Sequence, residues 1–131
     1  MPMNGRYVLD SNVVIALFDQ ESAVLEKIAA AEETIVPIPV IGELYYGAQR
    51  SRRARPNMER IDSLAQSHTI VPVDMDTARH YGMIKNQLRI KGTPIPNNDL
   101  WIAAVALQYG ATVATRDSHF AAVESLAVAH W

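Results

Sequence analysis

Four carboxylates stand where this chain could do chemistry: Asp10 in RYVLDSNVVIALF, Glu43 in VIGELYYGA, and Asp99 and Asp117 in NNDLWIAAVALQYGATVATRDSHF. Each also has a plainer reading. Asp10, followed by Ser11 and Asn12, suits the start of a helix, where short polar side chains accept from free backbone N–H groups. Asp99 suits the positive end of a helix dipole. Asp117 suits a turn. Glu43 is harder to place as solvated surface, because Val40, Ile41, Leu44 and Tyr45 surround it. If the four converge, their mutual repulsion calls for a cation. The ligand set offers oxygen, with no cysteine and no close pair of histidines. Such a set suits Mg2+, with Mn2+ as a substitute. A partly hydrated ion of this kind activates water and steadies charge on a phosphate.

Convergence depends on the elements that carry these acids. Apolar and β-rich runs predict strands at 6–9, 34–38, 69–73, 111–115 and 126–129. Helical spacing predicts helices at about 12–18, 22–33, 39–51, 56–67, 76–91 and 98–109. Pro39 fits a first helical turn, Asp76 a cap, and Gly92 and Gly110 helix ends. Pro72 marks its strand as an edge. Strands alternating with helices predict an α/β fold, a parallel sheet covered on both faces. Ligand sites in such sheets form beyond the carboxyl ends of the strands. Asp10, Glu43 and Asp117 all follow strands in the chain, and Asp99 joins them if its helix starts at the same end.

The remaining composition narrows the field. A length of 131 residues fits one domain spanning 1–131. With 49% hydrophobic residues it can bury a core. The absence of cysteine excludes disulfides, thiolate zinc sites and cysteine nucleophiles, and fits a reducing, cytoplasmic setting. No signal peptide is expected, because Asp10 interrupts the first apolar run. The uncharged run 100–107 is too short to span a bilayer, so no membrane role is expected. A net charge of −2 requires any nucleic-acid contact to come from a local patch. AQRSRRARPNMER supplies one, with Arg50, Arg52, Arg53, Arg55 and Arg60. Arginine suits phosphate, although a solvated surface turn accounts for the run equally well. A second basic stripe is Lys85, Arg89 and Lys91. Arg116 could touch a scissile phosphate or pair with an acid. Tyr45, Tyr46 and Trp101 are expected to serve packing. The four histidines are scattered, and none is assigned a role.

Three segments together resemble one family: YVLDSNVVI, PIPVIGELYYGA and NNDLWIAAVALQYGATVATRDSHF. The chain is similar over nearly its whole length to PIN-domain nucleases, and among them to the VapC toxins of bacterial toxin–antitoxin pairs. The resemblance implies a three-layer α/β/α sandwich with a mostly parallel central sheet. It implies that Asp10, Glu43, Asp99 and Asp117 form an acidic, Mg2+-binding catalytic site. Thr115 matches a small hydroxyl residue beside that site. Asn12 matches a polar position expected to orient Asp10 by hydrogen bonding. The implied activity is endoribonuclease, with water attacking the phosphodiester. The implied partners are RNA, a VapB-like antitoxin whose C-terminal segment covers the acidic groove, and a second copy in a homodimer. Two other readings stay open. One is a PIN-fold module that binds RNA or protein without cutting. The other is a haloacid-dehalogenase-type phosphatase, which needs a second Asp where this chain has Asn12.

Overall fold

A computed structural model describes residues 5–131; residues 1–4 of the expected domain lie outside the described residues. The elements run β1 (Arg6–Leu9), α1 (Ser11–Phe18), α2 (Ser22–Ala30), β2 (Glu33–Pro37), α3 (Ile38–Gln49), α4 (Ala54–Asp62), β3 (Thr69–Val71), α5 (Met75–Lys91), α6 (Asn97–Tyr109), β4 (Thr112–Thr115) and β5 (Val128–His130). The strands form one sheet in the order β3-β2-β1-β4-β5, with every neighbouring pair parallel. The six helices flank it in the expected three-layer α/β/α arrangement.

Local chemistry explains most boundaries. Strands covered on both faces read as continuous apolar runs; all of β4 is buried, as are Val8 and Leu9 of β1. Helix α6 is buried along Leu100 and Ile102–Ala106, where three alanines permit close packing. Gly92 and Gly110 end α5 and α6 in the left-handed conformation, at φ 74° and 62°, which an L side chain adopts only with strain. Strand β3 lies at one edge of the sheet and stops before Pro72, which cannot donate to a ladder.

Other boundaries differ from expectation. The helix expected over 22–33 ends at Ala30, because Glu33 joins β2 opposite Arg6, with which it forms an ion pair at 3.1 Å. The helix expected over 56–67 is α4, begun two residues earlier and followed by a 3-10 turn at Ser63–Gln66. The cap of α5 is Asp74 rather than Asp76. Asp74 accepts from the Thr77 N–H while the Thr77 hydroxyl accepts from the Asp74 N–H, a reciprocal capping box. Asp76 sits in the first turn and pairs with Arg79.

The chain proceeds from β1 outward to β2 and β3, then returns to place β4 on the other side of β1. The strand order therefore reverses between β1 and β4. At such a point the connections leave in opposite directions and open a crevice at the carboxyl ends. Asp10 directly follows β1, and Asp117 lies two residues beyond β4.

Candidate active site

Asp10 caps a helix and also faces the crevice. It is the N-cap of α1, its Oδ1 accepting from the Ser11 N–H at 2.8 Å. Its Oδ2 faces β4, accepting from the Thr115 hydroxyl at 2.7 Å and from the Asn12 amide at 3.3 Å. Only 4% of Asp10 is exposed. Thr115, fully buried, also accepts from the Asp117 N–H at 2.9 Å, which leaves its proton for Asp10. Asn12 in turn accepts from the Arg116 N–H at 3.2 Å. Asn12, expected to orient Asp10, bonds it directly; Thr115, expected only to lie beside the site, bonds it too, and together they tie the end of β1 to the end of β4.

The other acids reach the same crevice from helices and a loop. Asp99 lies in the first turn of α6, where the helix dipole favours an anion. Glu43, on α3, accepts from the Ser11 hydroxyl through Oε2 at 3.1 Å. Its Oε1 is buried without any hydrogen-bond partner. Asp117 accepts from the His119 N–H at 3.0 Å, a tight turn that swings the His119 ring back. The ring Nδ1 then lies 2.8 Å from Asp99 Oδ2 and 3.0 Å from Asp117 Oδ1.

The electrostatics carry the marks of convergence. Burial holds Asp10 above its ordinary pKa, with repulsion from Asp117 adding to it, against the hydrogen bonds of Thr115, Ser11 and Asn12. Burial likewise raises Glu43, helped by Asp10 and Asp99, and raises Asp99, helped by Asp10 and Asp117. His119 is raised chiefly by its bond to Asp99 and further by Asp117 and Asp10. A bound cation would offset both the burial and the mutual repulsion that raise these carboxylates. The unpartnered Glu43 Oε1 and the oxygen-dominated donor set fit a divalent ion. Asp99, Asp117 and His119 alone offer three ligand atoms within 4.8 Å of one another.

Two residues of the site carry no clear signal in the sequence. His119 is one: the acids alone predict an all-oxygen donor set, and the structure puts an imidazole nitrogen among them. The available signal was its position two residues after Asp117, the spacing of a turn in which an aspartate accepts from the second N–H beyond it. Ser11 was read only as a capping residue, and its hydroxyl instead holds Glu43.

The basic residues divide. Arg116 pairs with Glu21, at 2.8 and 3.2 Å, so the acid-pairing alternative is the one observed. Arg50 stacks over Tyr46 at 5.4 Å, and the Arg53 N–H donates to Ser51. Arg52 and Arg53 are exposed in the turn between α3 and α4. Arg60 stands over the Phe18 ring and lines a 420 Å³ groove that reaches Ser11 and Glu43. Tyr45 bonds Asp62 through its hydroxyl, and Trp101 stacks on Tyr81 with centroids 4.0 Å apart. No described helix is long and apolar enough to cross a membrane.

Comparison with known proteins agrees with this architecture. The PIN domain family model matches residues 7–126. Ribonuclease VapC5 of Mycobacterium tuberculosis is 31% identical over 123 residues, covering 92% of this chain and 89% of that one. Ribonuclease VapC2 of Rickettsia felis is 27% identical over 130 residues, covering 95% and 97%. The crystal structure of VapBC2 from Rickettsia felis, bound to a DNA fragment from its promoter, superposes with a TM-score of 0.87 at 27% identity, covering 96% of this chain and 98% of that one. The chain therefore belongs to the PIN-domain family and, within it, to the VapC ribonucleases.

Proposed function

We propose that this chain is the toxin of a toxin–antitoxin pair, a metal-dependent endoribonuclease whose catalytic groups are Asp10, Glu43, Asp99 and Asp117. The observation that supports it most directly is the unpartnered, buried Glu43 Oε1 facing the charges of Asp10 and Asp99 at the point where the strand order reverses. The ion we assign is Mg2+, with Mn2+ able to replace it, held by Asp10, Asp99, Glu43 and Asp117. When bound, a divalent ion lowers the pKa of water and neutralises charge developing on the phosphate.

The chain's own residues supply positioning and proton transfer. Asp10 is clamped by three donors and cannot swing away. Glu43 is held at Oε2 by Ser11, which leaves Oε1 to reach the ion through a water and to accept the proton of that water as it attacks. The water oxygen bonds to phosphorus as the bond to the 3′ oxygen breaks. That oxygen takes up a proton, so the products carry a 5′-phosphate and a 3′-hydroxyl. Arg50, Arg52 and Arg53 are exposed cations suited to the RNA backbone. The implied protein partners are a VapB-like antitoxin, whose segment occupies the groove beside Glu43, and a second copy of the chain.

The test is sequencing of RNA ends after induced expression, compared with Asp10→Ala. Discrete new 5′-phosphate ends that vanish in the variant are expected. Ends with 2′,3′-cyclic phosphate would overturn water attack. Tight RNA binding without new ends would favour the non-cutting PIN-fold module.

A further inference from the structure

We infer that His119 is a ligand of the metal centre through Nδ1, and that this nitrogen makes the site bind Mn2+ in preference to Mg2+; the inference rests on the metal-dependent reading above. The geometry is that of adjacent ligands. Two donor atoms at right angles on an octahedral ion, with bonds of about 2.1 Å, stand about 3.0 Å apart. Nδ1 lies 2.8 Å from Asp99 Oδ2 and 3.0 Å from Asp117 Oδ1. The ring is placed there from both sides. The backbone N–H of His119 is tied to Asp117, and the next residue, Phe120, is fully buried in the core.

A nitrogen donor changes which ion the site prefers. Mg2+ favours oxygen and keeps its waters, whereas first-row transition ions accept imidazole and gain affinity from it. Mg2+ then fills the site only by its abundance, and Mn2+ fills it by affinity. A hydrogen-bonded His119–Asp99 pair has the same separation as two adjacent ligands. The two arrangements differ in what happens when an ion arrives, since only a ligand stays on the ion.

The experiment uses full-length protein stripped with a chelator: wild type, His119→Asn and Asp99→Asn. Mn2+ and Mg2+ are titrated by calorimetry, and the Mn2+ protein, grown with 15N-labelled histidine, is examined by pulsed electron paramagnetic resonance. Wild type should show the coupling of a directly bound 15N, which needs no variant to be read. His119→Asn should lose that coupling and weaken Mn2+ binding about tenfold, with Mg2+ binding changed by less than about threefold. Wild-type protein that binds Mn2+ without 15N coupling would overturn the assignment of His119. If Asp99→Asn then still abolishes binding, the carboxylate centre survives without its nitrogen ligand. Mn2+ binding unaffected by either variant removes both readings.

Discussion

Thr115→Val is the sharpest probe of how the crevice is held. The two side chains are close in volume, so the packing of fully buried Thr115 is preserved and only the hydroxyl is removed. The loss falls on two groups. Asp10 Oδ2, in a residue 4% exposed, loses its shortest bond, and the Asp117 N–H loses its acceptor. Hydrogen bonds to charged groups contribute about 1.5–3 kcal/mol. Asp10 keeps Ser11 and Asn12, so a net cost of about 2 kcal/mol is expected, lowering Tm by about 6–10 °C in a domain of this size. The cost depends on pH with a definite sign. The Thr115 bond favours the charged form of Asp10, so removing it raises the folded pKa further above its unfolded value. A carboxylate raised on folding loses stability as pH climbs from the unfolded pKa through the folded one. The deficit of Thr115→Val is therefore largest near neutral pH and shrinks toward about pH 4. Chelated wild type, Thr115→Val and Thr115→Ser are compared by urea unfolding at about pH 7.5 and about pH 4.5. Thr115→Ser, which keeps the hydroxyl, should recover most of the loss. An equal deficit at both pH values, or a neutral-pH deficit below about 0.5 kcal/mol, would refute the clamp.

For a dissociation constant taken as about 1 mM, Mg2+ at about 10 mM should stabilise the protein by roughly 1.4 kcal/mol and raise Tm by about 3–6 °C; Asp10→Asn combined with Asp99→Asn should melt higher than the metal-free parent and lose that shift, with NaCl at equal ionic strength as the control. Without metal, wild type should lose stability as pH rises from about 4, because Asp10, Glu43 and Asp99 are raised on folding. His119 acts in the same direction, its contribution complete below its ordinary pKa and lost as pH rises through the folded value; thermal melts across pH with chelator check both. Expression without an antitoxin should arrest growth and Asp10→Asn should relieve the arrest, since asparagine keeps the shape without the charge; undiminished toxicity would remove Asp10 from the mechanism. Gly110→Ala should cost about 1 kcal/mol through backbone strain alone, because a Cβ there meets nothing within 4 Å, and Gly110→Asn should cost less in the same unfolding assay.

What the sequence determined by itself is what short-range chemistry dictates. The glycines at 92 and 110 end their helices because only a residue without Cβ turns left-handed cheaply. The apolar runs before Asp10 and Asp117 are strands because both their faces are buried, and this alternation places the acids at one end of the sheet. Tertiary structure decided whatever depends on a partner distant in the chain. Helix α5 is capped by Asp74 rather than Asp76, and Gln108 of α6 donates to Asp74 across the fold at 2.9 Å. Arg116 was open to a phosphate until Glu21, 95 residues away, supplied its counter-charge. Ser11 reaches Glu43 only because α1 and α3 meet, and His119 reaches Asp99 only because the loop after β4 folds over the start of α6. Hydrogen bonds and ion pairs form over a few ångströms of space, and sequence separation does not measure that distance.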